Sequence, residues 1–412
     1  MTTPEQRSTD PASIEMLKHA AEQGLEVIWD RYDAMQPQCG FGSLGICCRN
    51  CSMGPCRIDP FGNGPSEGIC GANADVIAAR NLARMIACGS SAHSDHARDV
   101  AHTLLIAASG EGDYVVKDHA KLQKLAAEWG IETEGVEPND LARQVGEAAL
   151  AQFGQQDGEL RFVSRAPELT QKRWRDAGVV PRGIDREIVS LLHSTHIGGD
   201  SSYKSIIASG IRAALADGWG GSMIATELQD ILFRTPAWLR SRSNLGVIDP
   251  KSVNIVVHGH EPILSDMIVA ASQDPELIAL AKSKGAGGIT LSGICCTANE
   301  ILMRHGVPVA GNFLHQELAV STGAVEAMVV DIQCVMPALA KLTERFHTKF
   351  ISTSKKAHFP YAEHVEFEEA DALNIAKKIV RMAIENFPNR DASRVTVPQF
   401  SSPLVAGFSA EN

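Results

Sequence analysis

Ten cysteines occur in the 412-residue sequence, and six of them fall between positions 39 and 70. The segment reads Cys39-GFGSLGI-Cys47-Cys48-RN-Cys51-SMGP-Cys56, with Cys70 following in EGICGAN. Thiols gathered around a C-x-x-C, without secreted disulfide spacing, hold a metal more often than they pair with one another. Thiolates are soft ligands, so Cys48, Cys51, Cys56 and Cys70 are candidates for a structural zinc ion or an iron–sulfur cluster. Glycines at 40, 42, 45, 54, 68 and 71 tilt the choice toward the cluster, whose sulfides need backbone amides close by. Four ligands satisfy one centre, which leaves Cys39 and Cys47 as half of a second four-thiolate site. A two-fold axis in a homodimer would supply the other half.

Two further groups of residues carry chemistry. In Gly89-Ser-Ser-Ala-His93-Ser-Asp-His96-Ala-Arg-Asp99-Val-Ala-His102 the histidines drift around one helical stripe. A solvated polar face is the simpler role for them. A proton relay is the functional one, since imidazole titrates near neutral pH and Asp99 sits where it would extend the row. Cys88, in the preceding helix, reads as a small core residue. Farther on, an apolar run at 253–257 leads into His258-Gly-His260-Glu-Pro, one at 289–291 leads toward Cys295-Cys296, and one at 327–332 leads into Gln-Cys334. Ligands of doubly wound sheets bind beyond the carboxyl ends of the strands, so three such ends point to a shared metal site. The alternative is buried structural thiols beside one hydrogen-bonded histidine.

These residues need elements to position them. Asp10-Pro11 is a cap followed by proline at the first helical position, and Ile14, Leu17, Ala21, Leu25, Ile28 and Tyr32 recur as one amphipathic helix. Residues 36–71 lose all periodicity and predict a loop organised by something other than a hydrophobic core. Segments 75–88, 94–108, 122–129, 140–153, 205–216 and 226–239 read as helices, the last running past Pro236. The texture changes near 241–250. Beyond it, apolar strands at 253–257, 289–291, 327–332, 350–352, 364–367 and 395–397 alternate with helices at 262–271, 299–304, 336–345 and 370–385. That alternation predicts a mostly parallel sheet. The expected fold is α plus α/β: an all-helical domain over 1–240, then a doubly wound, Rossmann-like domain over 241–412.

Composition excludes several classes. Hydrophobic residues make up 44% and charged residues 21%, which is ordinary for a folded protein. The net charge of −11 argues against a nucleic-acid or anionic-membrane surface. No apolar run is long enough for a transmembrane segment, and the amino terminus lacks a secretory pattern, so a cytoplasmic location is expected.

Taken together, GFGSLGICCRNCSMGPCRI, GSSAHSDHARDVAHT, VVHGHEP, GICCTANEILMRHG and DIQCVMP resemble the nickel–iron–sulfur carbon monoxide dehydrogenases of anaerobic prokaryotes. The resemblance covers the whole chain. It implies that Cys39 and Cys47 share a bridging [4Fe–4S] cluster across a homodimer, and that Cys48, Cys51, Cys56 and Cys70 hold a [4Fe–4S] cluster within each subunit. Electrons would leave through both to an acceptor such as ferredoxin. It makes His260, Cys296 and Cys334 ligands of a nickel–iron–sulfur cluster, His260 and Cys296 on its pendant iron, with Cys295 an adjacent spare. It makes His93 the general base and His96 and His102 the proton exit, with Asp99 where family members often carry histidine. A nickel-insertion protein is an implied partner. The implied reaction is carbon monoxide plus water to carbon dioxide, two protons and two electrons. In the family a second doubly wound domain follows, with three further cysteine ligands and a lysine, whereas this sequence has no cysteine after Cys334. Truncation, a second polypeptide and a reduced function all fit that difference, and little carbon monoxide oxidation is expected of these 412 residues alone. The two competing functions are a non-catalytic iron–sulfur electron-transfer dimer and a hybrid-cluster hydroxylamine reductase; the Cys39/Cys47 pair and HGHEP favour the dehydrogenase over the latter.

Overall fold

The structure is a computed structural model that describes residues 2–411, in two compact units. One unit comprises residues 37–110 and 115–232; the other comprises 2–36, 111–114 and 233–411. The division differs from the expected 1–240 and 241–412. The first 36 residues belong with the sheet because of what they bury. Helix Pro11–Glu22 puts Met16, Leu17 and Ala20 into a core with Val256, Ile294, Ala310, Leu318 and Met328. Each large aliphatic side chain so buried contributes about 1.5–3 kcal/mol. The single helix expected through Tyr32 is two, Pro11–Glu22 and Ile28–Ala34, broken at a turn through Gly24.

The first unit is helical apart from a hairpin of β1 (Cys47–Cys48) and β2 (Cys56–Arg57). Its spine is one 36-residue helix, Ala74–Ser109, where two were expected. Gly89 at its middle weakens the helix by about 1 kcal/mol, but packing outweighs that. Ala83, Ala87, Ala97 and Ala101 are buried, and the buried Ser90 hydroxyl donates to the Ala213 carbonyl. Cys88 is exposed on this helix, not a core residue, and shares its outer stripe with Leu82 and Met85, the latter 72% exposed. The helix expected over 226–239 ends at Phe233. Pro236 has no N–H to give and forces the preceding residue out of helical geometry, so the chain extends instead.

The second unit is an eight-stranded sheet: β3 (Leu239–Ser243), β4 (Val253–Gly259), β5 (Ile289–Ile294), β6 (Val309–Gly311), β7 (Val325–Val330), β8 (Lys349–Ser352), β9 (Glu363–His364) and β10 (Ser402–Ala406). Their order is β10-β3-β6-β5-β4-β7-β8-β9, all parallel except the edge pair β10–β3. Residues 241–250, where the texture changes, hold the end of β3 and the 3-10 turn after it. Segment 395–397 is not a strand; β10 lies just after it. From β4 the chain builds outward through β5 and β6, then returns to the other side of β4 as β7. The reversal lies between β4 and β7, the place where folds of this kind open a crevice beyond the strand ends.

The opposite ends of β4 and β7 are tied by charge. The ladder slips at Asn254, leaving Glu326 as the extra residue of a bulge. Its fully buried carboxylate accepts from the Asn254 N–H (2.6 Å), Arg390 Nε (2.7 Å) and His347 Nε2 (2.8 Å). Arg390 also donates to the Pro250 and Ser252 carbonyls. Glu326→Gln would leave the Arg390 guanidinium enclosed without its counter-charge. Unfolding in urea should show a loss of about 3 kcal/mol; an unchanged midpoint would mean that register is held by the ladder alone.

Candidate metal centre

The six amino-terminal cysteines separate by backbone geometry. Cys47 and Cys48 are consecutive in β1, and successive side chains of an extended strand point to opposite faces. Cys48, paired across the hairpin with Cys56, joins Cys51, Cys56 and Cys70 around a cavity of about 230 Å³ that Cys47 does not line. The space beside these four thiols is larger than one zinc ion bound at about 2.3 Å requires and leaves room for a cluster. Two of the six glycines make the cradle. A Cβ on Gly54 would lie 3.1 Å from the Cys48 carbonyl, and one on Gly68 would lie 3.6 Å from Cys56 Sγ. Gly40 and Gly45 face open space. The Ile69 N–H points at Cys56 Sγ (3.5 Å), the kind of amide–sulfur contact a cluster uses. The donor set and its glycines fit an iron–sulfur cluster. Asn81, on the long helix, donates to the Gly45 and Cys47 carbonyls and fixes the loop.

Cys39 is exposed at the start of the short helix Gly40–Ser43. The N–H groups of Gly42 and Phe41, with some help from Arg57, hold its thiol below the ordinary range.

The histidine row is not one solvated face. His93 is half-buried, His96 is buried and His102 is exposed. His93 Nδ1 lies 2.6 Å from Asp217 Oδ1, and that bond raises the imidazole pKa although burial opposes it. Asp217 opens a π-turn, Asp217–Gly221, between helices Tyr203–Ala216 and Ser222–Phe233. Gly221 lets this turn press on the backbone at His93; a Cβ there would sit 3.1 Å from the His93 carbonyl. His96 Nε2 is 2.6 Å from the Gln229 side-chain amide. Neither Asp217 nor Gln229 was expected from the sequence, although the DGWGG run at 217–221 is the one place where an acid precedes paired glycines.

At the sheet, the three expected strand ends do meet. His260 follows β4, Cys295 and Cys296 begin the helix Cys295–His305 directly after β5, and Cys334 follows β7, on three neighbouring strands. Gly259 bridges Cys295 across the strand ends. Burial, then the neighbouring Cys334 and Cys296, pushes the Cys295 pKa up to about 12. Burial and Cys334 raise Cys296 as well. Cys295 and Cys296 crowded in this way resist ionising until a cation arrives, and with Cys334 and His260 on the neighbouring strand ends they are candidates for a mixed sulfur–nitrogen donor set. That set fits a soft or borderline metal centre.

The loop bearing Cys334 is strained: Gln333 and Cys334 both have left-handed backbones, at φ +67° and +57°. Such non-glycine residues cost about 1–3 kcal/mol each and persist only where neighbours hold them. Buried Gln316 does so, donating to the Cys334 carbonyl (2.8 Å) and accepting from the Met336 N–H (2.8 Å). His258 Nε2 lies 3.1 Å from both Gln316 Oε1 and the Cys334 carbonyl, and burial lowers the pKa of its ring. Asp331, at the end of β7, is the other residue that only the structure singles out. Its carboxylate accepts from the N–H groups of His260 (2.7 Å), Glu261 (3.1 Å) and Ile332 and from the Thr297 hydroxyl (3.0 Å).

The profile of the Prismane/CO dehydrogenase family matches residues 46–408. The chain belongs to that family. It is 57% identical over 407 residues to carbon monoxide dehydrogenase 1 of Methanosarcina mazei, covering 98% of this chain and 65% of the relative. A nickel-free carbon monoxide dehydrogenase from Thermococcus sp. AM4, produced without CooC maturase, superposes with a TM-score of 0.98 at 51% identity, over 100% of this chain and 65% of that one. An acetyl-CoA synthase/carbon monoxide dehydrogenase with NiZn[Fe4S4] and NiNi[Fe4S4] clusters in its alpha subunits gives 0.94 at 44%, over 98% of this chain and 61% of that one. The chain thus spans just under two thirds of these relatives. Among the described residues, no helix is long and apolar enough to cross a membrane.

The His93–Asp217 pair predicts a titration. His93 should titrate above the ordinary value of about 6.5 in nitrogen-15 NMR, and Asp217→Asn should lower it. Because the folded-state pKa is the higher one, the pair stabilises the protein below about pH 6.5, and that contribution fades as pH rises through the folded pKa. A His93 pKa indifferent to Asp217→Asn would dissolve the pairing.

Proposed function

We propose that this protein acts as a carbon monoxide dehydrogenase, interconverting carbon monoxide and water with carbon dioxide, two protons and two electrons. The observation that carries this is that His260, Cys295, Cys296 and Cys334 follow the ends of three neighbouring strands, β4, β5 and β7, in a chain of this family. His260, Cys296 and Cys334 would contribute to a nickel–iron–sulfur cluster, with Cys295 an adjacent thiol. That cluster, when bound, activates both substrates and takes up the electrons. Cys48, Cys51, Cys56 and Cys70 would hold a [4Fe–4S] cluster, and Cys39 and Cys47 half of a second one shared across a homodimer.

The remaining chemistry belongs to the side chains. Asp217 holds His93 in the tautomer with hydrogen on Nδ1, so Nε2 is the atom that accepts a proton. Its raised pKa suits a base working near neutral pH. His96 and His102, farther along the same helix, would carry the proton outward. The exposed Leu82–Met85–Cys88 stripe, with Met53 and Ile69 beside the cysteine loop, supports the homodimer, since apolar patches of this kind are usually covered by protein. A ferredoxin-like acceptor would receive the electrons. A nickel-insertion protein would load the site, in keeping with a relative described as nickel-free when produced without its maturase. The cytoplasm is the proposed location.

Carbon monoxide-dependent viologen reduction by the protein isolated anaerobically in its native assembly tests this function. His93→Ala should lower kcat by about 10²–10⁴ with cluster spectra retained, and Cys296→Ser should abolish turnover. A nickel-loaded assembly without turnover would favour the electron-transfer dimer. Separately, Cys39→Ala with Cys47→Ala should remove the iron of one cluster per dimer and spare the intrasubunit one; unchanged iron would refute the bridging site.

A further inference from the structure

The Asp331 carboxylate gathers donors from three chain segments that reach the crevice separately. The His260 and Glu261 N–H groups open the turn after β4, Thr297 stands next to Cys296 in the first turn after β5, and Ile332 lies on its own loop after β7. The Asp331 N–H in turn donates to the His258 carbonyl (3.2 Å). The backbone is shaped to admit this carboxylate. Gly259 has φ +143°, where other residues are strained, and a Cβ there would collide with the Asp331 carboxyl oxygens. A glycine between two histidines is thus the room that Asp331 occupies.

We propose that Asp331 is a positioning residue for the metal centre: it touches no substrate, but sets the spacing of His260 and Cys296 by holding the segments on which they stand. This rests on the function proposed above. The reason is geometric. The β4–β5 ladder and the Gly259–Cys295 bridge align the strands only up to the residues before His260 and Cys296, and the turns beyond need a tie of their own, to which Thr297 Oγ1 adds by lying 3.3 Å from the Glu261 carbonyl. One carboxylate that accepts from the His260 N–H and the Thr297 hydroxyl supplies that constraint. Asparagine is nearly isosteric, but it has one acceptor oxygen in place of two and turns an NH₂ group toward backbone donors.

The test reconstitutes the full chain anaerobically with ⁵⁷Fe, sulfide and nickel, beside Asp331→Asn, Thr297→Val and Thr297→Ser. Iron at the His260/Cys296 site is read by Mössbauer spectroscopy, and folding by circular dichroism. Asp331→Asn should keep the intrasubunit cluster signal and bind iron at His260/Cys296 about 10- to 100-fold more weakly. Thr297→Val should weaken it less, and Thr297→Ser should restore the parent spectrum. The Thr297 pair decides the matter if Asp331→Asn fails to fold. Parent-like iron signals in both Asp331→Asn and Thr297→Val, whatever their stability, would overturn the positioning role. A parent protein with no iron signal lost in His260→Ala would instead overturn the proposed metal site itself.

Discussion

Thiols that must ionise together repel one another, and the fold is arranged around keeping them close regardless. At the sheet the repulsion is visible in the Cys295 and Cys296 thiols, each held protonated by burial and by neighbouring sulfur. Such a group of side chains cannot assemble itself; rigid elements must bring it together. Three adjacent parallel strands do so, and their register is secured at the far end by Glu326 and Arg390. The hairpin loop solves the same problem without a core. There the cysteines surround a cavity while Ile46 and Ile58 anchor the strands from beneath.

The two cysteine sites differ in what holds them open. The loop site relies on absent atoms, since Gly54 and Gly68 leave room where any side chain would fill the cavity or crowd a carbonyl. The strand-end site relies on polar side chains that clamp backbone. Gln316 and His258 hold the strained turn at Cys334, and Asp331 holds the turns at His260 and Thr297. Burial of the Asp331 carboxyl pushes its pKa up to about 7, and the four hydrogen-bond donors offset only part of that burial. Loss of one donor is therefore felt at several ligands together.

Packing also overruled local preference in the helical unit. Gly89 and its serines look like a break between helices, yet the chain continues because buried alanines on both sides of it pack along one face. That continuity matters for chemistry, as it places His93, His96 and His102 on one rigid rod with distinct surroundings for each.

The sequence by itself determined which atoms could bind metal and roughly where. Cysteine spacing in the loop is local, strand periodicity is local, and both the doubly wound sheet and the three strand ends that carry candidate ligands follow from them. Tertiary structure alone decided which side chains make those atoms usable. Asp217 reaches His93 across 124 positions, Asp331 reaches His260 across 71, and Gln229 reaches His96 across 133. A hydrogen bond of this kind leaves no period or motif in the chain, because its partners become neighbours only when helices and strands pack.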